Sequence, residues 1–320
     1  MEKQGRVVVD KVGGRSTVTR CFSKYPLKFI IPRKVSFLAL FIFSLLAILA
    51  HISYHMHIWV GSSETDAVWV YNLTYGGGIV SGDSISCEFT IGDGCTTVLT
   101  TQASTKVYKS VGSKCCEQVL EARVGSDALL AVIPDPVTCF STARYSQKQV
   151  FRVASNSSLV IVDWITSGRH ESGEKWDFDL YKSANHIFIE DDEPLFLDMV
   201  HLERGSISSI AERMQDYQVI AMVVLLGPRI KHIQNLVQEN VKRMMSEQLH
   251  IPSTASGRQL KPNSDNHFTK PSFIASSSVF GPKGIGVVVR IAATTTESVY
   301  EFLQHQLAGL EPLLGVSPYH

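Results

Sequence analysis

Several signatures of catalysis and tight metal binding are missing from this 320-residue chain. Its six cysteines, Cys21, Cys87, Cys95, Cys115, Cys116 and Cys139, include no CxxC pair and no Cys/His run with zinc spacing. That excludes the common structural zinc modules. Cys115 and Cys116 are adjacent, which is poor geometry for a disulfide between them. The set fits a reduced compartment in which most cysteines are small buried apolar residues. The histidines form no HExxH, so a zincin centre is excluded. Charge of one sign is also missing: 30 Lys and Arg balance 30 Asp and Glu, without the basic excess of a nucleic-acid binder. There is no internal repeat and no low-complexity tract. The composition, 44% hydrophobic and 19% charged, is that of a folded globular chain, long enough for one large domain or two small ones.

One long hydrophobic run is present. Residues 36–60 carry no formal charge, although His51, His55 and His57 fall within them. The run is long enough to cross a bilayer, which takes about 20 mostly apolar residues. Arg33 and Lys34 precede it, and the positive-inside rule would then put residues 61–320 on the far side. A signal peptide fits poorly, because 35 residues come first and no small-residue cleavage site follows. The sequons at Asn72 and Asn156 would matter only in a lumenal domain.

From about residue 66 to 200 the chain reads as β. Runs rich in Val, Ile, Thr, Phe and Tyr at 67–73, 84–91, 96–101, 118–124, 128–133, 143–153 and 158–165 are separated by Gly, Pro, Asp, Asn and Ser. Turn signals roughly every ten residues, among them Gly92-Asp93-Gly94, predict an all-β body in place of βαβ units. Residues 175–182 alternate Trp176, Phe178 and Leu180 with polar partners, the pattern of a half-buried strand. Further strands are expected at 184–190, 194–203 and 284–292. Helices come later. A short one is expected at 207–215. A longer one opens at Gly227-Pro228 and carries Ile230, Ile233, Leu236, Val237, Val241 and Met244 at helical spacing. A last helix spans 296–310, with a cap among Thr294–Thr296. Residues 252–272, rich in Ser, Pro, Asn and Lys, read as a polar surface loop or a disordered insert.

Four stretches carry polar chemistry. Gly76-Gly77-Gly78-Ile79-Val80-Ser81-Gly82-Asp83 matches neither GxGxxG nor GxxxxGK[ST], so it is no phosphate cradle; it reads as a glycine-permitted tight turn between strands. Residues 100–108, Thr-Thr-Gln-Ala-Ser-Thr-Lys-Val-Tyr, gather hydroxyls, an amide and a lysine. Ser104 with Lys106 is a conceivable nucleophile and base, but no triad partner accompanies them, and a polar segment lining a surface or channel explains the stretch equally. Asp163-Trp164-Ile165-Thr166-Ser167-Gly168-Arg169 sets a carboxylate at a strand end and an arginine past a turn, the arrangement of a structural ion pair. Glu190-Asp191-Asp192-Glu193 lacks EF-hand spacing and reads as a solvated acidic turn. Carboxylates of this kind can hold a divalent ion weakly and unselectively.

Taken in order, these stretches resemble the urease accessory protein D family. The resemblance rests on Gly77–Asp83 as GGIVSGD, the 100–108 stretch, Asp163 with Gly168-Arg169, Asp192-Glu193-Pro194-Leu195, His201-Leu202 and Ser208-Ser209-Ile210-Ala211-Glu212-Arg213. It covers roughly residues 14–35 and 61–310, and the combination is more specific than any single piece. It implies a mainly β, elongated body with a few helices in the C-terminal half. It implies a cytoplasmic, non-enzymatic scaffold that binds urease apoprotein, a helical accessory protein and, through it, a nickel-binding GTPase. No cofactor is tightly held; nickel is in transit. The implied route is a polar internal passage, with Asp83, Ser104, Asp163 and Asp198 as its expected lining.

Residues 36–60 depart from the family. Joining residue 35 to residue 61 restores a continuous family-like stretch, so 1–35 and 61–320 are expected to form one β-rich domain. The apolar run is then either an insertion foreign to that domain or a transmembrane segment. The latter would make the chain a membrane-anchored β-domain that binds a ligand or protein.

Overall fold

The computed structural model describes residues 3–32, 65–190, 192–205, 207–249 and 270–319. The apolar run at 36–60 and nearly all of the polar 252–272 stretch lie outside the described residues.

The chain winds back and forth between two sheets. Strands β1 (Gly5–Val12), β2 (Arg15–Ser23) and β3 (Leu27–Ile30) lead to β4 (Val68–Thr74). The regular part then alternates sheets: β5 (Ser84–Ile91) to β6 (Thr96–Thr100), β8 (Cys116–Val124) to β9 (Leu129–Val132), and β11 (Arg144–Val153) to β12 (Ser158–Thr166). Each rung stacks in parallel on the one before, β5 on β8 on β11 on β13 (Leu180–Ile189) in one sheet and β6 on β9 on β12 in the other. Short strands β7 (Thr105–Val107) and β10 (Val137–Cys139) pair with each other along a third side. This is a β-solenoid-like body, mainly β as expected. Parallel ladders built without crossover helices are the feature that turn spacing could not reveal. β14 (Glu193–Glu203) folds back antiparallel on β13, while β15 (Val219–Leu226), β17 (Gly286–Ala293) and β16 (Phe273–Phe280) extend the second sheet antiparallel.

The two sheets differ because, among the described residues, only one is covered on both faces. In the first sheet, buried and exposed residues alternate, as in β11, where Tyr145, Gln147 and Gln149 are buried and Lys148 is exposed. In the second, every residue of Ser158–Thr166 is buried, the continuous apolar pattern of a strand enclosed on both sides. Its inner face carries Leu159, Ile161 and Ile165 into the core between the sheets. Its outer face carries Val160, Val162 and Trp164 into a second core under the helices. Those helices are α2 (Lys231–Leu249), which buries Ile233, Val237 and Val241, and α3 (Thr296–Leu307), which buries Val299, Phe302, Leu303 and Leu307. Each fully buried aliphatic side chain contributes about 1.5–3 kcal/mol. α3 is capped by Thr295, whose hydroxyl accepts from the Ser298 N–H at 3.3 Å.

Some expectations are corrected. Residues 175–179 are not strand: β13 begins at Leu180, and Trp176, at φ 54°, leaves the extended region while its ring stays buried. The helix expected at 207–215 is a single turn, α1 (Ile210–Met214), closed by a Ser209–Glu212 capping box. Cys139 closes strand β10 and is buried. All six cysteines are free thiols, four of them buried. Among the described residues no helix is long and apolar enough to cross a membrane.

Candidate functional site

The core between the sheets is apolar at its ends and polar in the middle. Parallel stacking places inward side chains of successive rungs side by side. Gln118, Gln147 and Ser183 form one such row across β8, β11 and β13. Two residues further along, Gln149, Asn185 and Asp198 form another across β11, β13 and β14. Facing them from the opposite sheet is Asp163 of β12, 8% exposed.

Among the described residues every hydrogen bond to this carboxylate comes from a neutral donor, the longest from the Tyr181 hydroxyl to Oδ1 at 3.5 Å. The Gln147 amide donates to Oδ1 at 2.8 Å, Ser183 Oγ donates to Oδ2, and the Asn185 amide donates to Oδ2 at 2.6 Å. Gln147 is in turn oriented by Tyr145, whose single hydroxyl proton is shared between Gln118 Oε1 at 2.9 Å and Gln147 Oε1 at 3.1 Å. Burial pushes the Asp163 carboxyl above its ordinary range; the hydrogen bonds from Ser183, Asn185 and Gln147 oppose that, and the charge of Asp198 adds to it. The Oδ1 of Asn185 is buried without a partner. An acid in a polar cage with no fixed counter-ion can accept a cation whose charge it neutralises.

Asp163 stands between two cavities. The larger, about 240 Å³, runs from Asp163, Gln147 and Gln118 to the exposed Gln102 and Ala103, where it meets the surface. The smaller, about 220 Å³, lies on the other side, between Asp163, Tyr181, Asp198 and Arg290.

Of the four residues expected to line a passage, the structure brings three to these cavities. Ser104 lies at the rim of the larger one, Asp163 in the common wall and Asp198 in the smaller one. Asp198 is already engaged by Arg290 of β17. Asp83 lines none of the cavities described here. Its Oδ2 accepts from the Val80 N–H at 3.0 Å and locks the turn 80–83. Asp163 is inside β12, not at its end, and does not pair with Arg169. That arginine bonds Glu174, Nε to Oε2 at 3.0 Å, and lies over the Phe140 ring at 4.1 Å. No hydrogen bond joins Ser104 to Lys106, whose side chain is exposed, so the nucleophile–base pair is not assembled. Asp192, in the acidic turn, pairs with Arg152. Sequence reasoning missed Gln147, Ser183 and Asn185. The signal was there as polar residues at inward positions of otherwise apolar strands, but which strands adjoin is visible only in the fold. Among the described residues no three His, Cys, Asp or Glu side chains come together as metal ligands.

Fold and site together define a β-solenoid scaffold with a hydroxyl-, amide- and carboxylate-lined interior. The family model described as UreD urease accessory protein matches residues 55–320. Over 315 residues the chain is 64% identical to urease accessory protein D of Arabidopsis thaliana, spanning 98% of this chain and 99% of that protein. It is 58% identical to urease accessory protein D of Oryza sativa subsp. indica, over 98% and 94%. It is 30% identical to urease accessory protein UreD of Anaeromyxobacter sp. (strain Fw109-5), over 98% and 88%. The chain belongs to the urease accessory protein D family.

Proposed function

We propose that this chain is a non-enzymatic, cytoplasmic urease maturation factor. It binds urease apoprotein and acts with a helical accessory protein and a nickel-binding GTPase, and nickel passes through it as cargo. One observation carries this reading: Asp163, a buried carboxylate that forms no ion pair among the described residues, is part of the common wall of two cavities, one of which reaches the surface. A lone carboxylate among hydroxyls and amides binds a divalent ion weakly and unselectively. That suits a transit site, where tight ligation would trap the ion. The order of stations is Ser104 at the rim, Asp163 between the cavities and Asp198 beyond.

The test is urease activation reconstituted from apo-urease, the partner accessory proteins, nickel, bicarbonate and GTP. Asp163→Asn removes the charge with little change of shape, and is expected to lower activation strongly while complex formation persists. Activation at the wild-type rate by both Asp163→Asn and Asp163→Leu would overturn the passage.

A further inference from the structure

The C-terminal elements close a third cavity that the proposed passage does not need. Tyr300 of α3 meets Trp164 edge-on, with ring centroids 4.7 Å apart and planes at 79°. Tyr319 lies 6.0 Å from each of these rings. Trp69 and Tyr71 of β4 stack at 6.4 Å. Trp69, Tyr71, Tyr300 and Tyr319 wall a cavity of about 230 Å³ with Ile133 among its lining.

A single carboxylate, Asp135, stands in this aromatic pocket. The Tyr300 hydroxyl donates to its Oδ1 at 2.7 Å, and the Thr101 hydroxyl reaches Oδ2 at 3.4 Å. Among the described residues no lysine, arginine or histidine is near enough to act on it. Two neutral hydroxyls leave most of a half-buried negative charge uncompensated. Aromatic faces add further negative potential. A divalent ion favours several carboxylate or carbonyl oxygens at once, and among the lining residues only Asp135 supplies a charged one, already bonded by Tyr300. An alkylammonium or guanidinium is well matched: its stem lies against rings and its charge meets the carboxylate.

We propose that this pocket receives the side chain of a lysine or arginine presented by a protein partner, with Asp135 as its counter-ion and the four rings around its stem. The rim argues for a side chain carried on a polypeptide. The exposed amide of Gln102 and the hydroxyl of Ser317 stand there to bond main-chain groups. The pocket shares Thr100, Thr101, Gln102 and Asp135 with the larger cavity, so a partner anchored here stands at that cavity's mouth. The inference goes beyond the nickel passage, and holds or fails independently of it.

Trp69 lines the pocket and serves as reporter. Tryptophan fluorescence of the full chain is titrated with n-butylammonium, with n-butanol, and with lysine blocked as its Nα-acetyl N-methylamide. Saturable changes are expected for butylammonium and for blocked lysine, and none for butanol. Asp135→Asn should weaken both by about tenfold or more, the equivalent of about 1.4 kcal/mol. Gln102→Lys, at an exposed position that leaves folding intact, should weaken both by offering its own ammonium to Asp135. Equal binding of butanol and butylammonium would make the pocket merely apolar and overturn the proposal. So would affinities unchanged in both variants. Binding of butylammonium but not of blocked lysine would overturn the assignment to a partner's side chain.

Discussion

Gln147 and Asp163 meet across the two sheets, the amide of one donating to the carboxylate of the other at 2.8 Å, so the most buried acid of the interior is also a tie between the walls that enclose it. Variants at 163 separate these roles. Leucine leaves the donors of Gln147, Ser183 and Asn185 unpaired in a buried setting, where each costs about 1–3 kcal/mol. Asparagine retains one acceptor oxygen, and a flip of Asn185 turns its unpartnered Oδ1 towards the new amide. Chemical denaturation is therefore expected to show Asp163→Leu destabilised by about 2–4 kcal/mol and Asp163→Asn by much less. Equal losses would mean that the cage cannot accommodate an amide in place of the carboxylate.

The same carboxylate sets a pH dependence. Burial raises the Asp163 carboxyl above its ordinary range. An acid that holds its proton more tightly when folded favours the native state most below the unfolded value, and that contribution is lost as pH rises through the folded value. Asp66, Glu88 and Glu174 have the opposite sign: each is held below its ordinary range by hydrogen bonds and a cation, and each contributes stability that is lost in acid. Subtracting the two proteins isolates Asp163. The stability of Asp163→Asn relative to wild type should rise from about pH 4 upward and level off once the acid is ionised. A difference that stays flat across that range would place the folded pKa at its ordinary value.

Arg290 and Asp198 join β17 to β14, the one strand in the second sheet and the other in the first. The arginine side chain is 52% exposed and that of the aspartate 13%. A pair so open to water contributes about 1 kcal/mol or less. Arg290→Gln is expected to lower unfolding free energy by no more than that, with an effect that shrinks in high salt. In reconstituted activation, Arg290→Gln should retain function, because it leaves the Asp198 carboxylate in the smaller cavity, whereas Asp198→Ala should lose it. A loss of about 3 kcal/mol in Arg290→Gln would instead mark the pair as a main fastening of the sheets.

Much of the body was legible because its local signals agree with its fold. The limits of β5 coincide with the expected 84–91, and β12 extends the expected 158–165 by one residue. The amphipathic stripe of Ile233, Val237 and Val241 announces α2. Where local and tertiary signals part, the reading fails. Trp176 and Phe178 alternate like a strand, but the positive φ at Trp176 breaks the ladder. β16, with Ser276, Ser277 and Ser278 in its middle, drew no expectation of a strand, yet it pairs with β17 along its whole length. The site divides the same way. Asp163 is found through its motif, while Gln147, Ser183 and Asn185, spread over 39 positions, converge only because successive rungs of the solenoid stack. Asp83, placed by motif alone, belongs to a turn.

Gly227 tests how the helices are attached to the sheet. It lies between β15 and the turn that opens α2, at φ 100°, a region that suits glycine. An added Cβ would fall within contact distance of the Ser157 carbonyl oxygen and 2.7 Å from Ser158 Cα. Both are backbone atoms at the start of β12 and cannot rotate away. Gly227→Ala is expected to cost about 3 kcal/mol or more, from strain and overlap together. The thermal midpoint of the variant checks this, and a shift of only a degree or two would show that the β15–α2 turn can relax.

The apolar run at 36–60 can be tested by removing it, because the described elements on either side are neighbours. β3 and β4 pair antiparallel, with Ile30 opposite Tyr71 and Leu27 opposite Thr74. Residues 31–35 and 61–67 would still join them. Closing a loop costs only about 0.6 kcal/mol per doubling of its length, so shortening this one carries no entropic penalty. Residue 66 is anchored independently, as Asp66 accepts from the Ser16 N–H at 2.6 Å and pairs with Lys11. The deletion variant should therefore keep the β-rich circular dichroism of the full chain. It should also be less prone to aggregate, since 25 residues without a formal charge are removed. Recovery of the full chain with membranes, together with loss of folding in the deletion variant, would identify the run as an anchor integral to the domain.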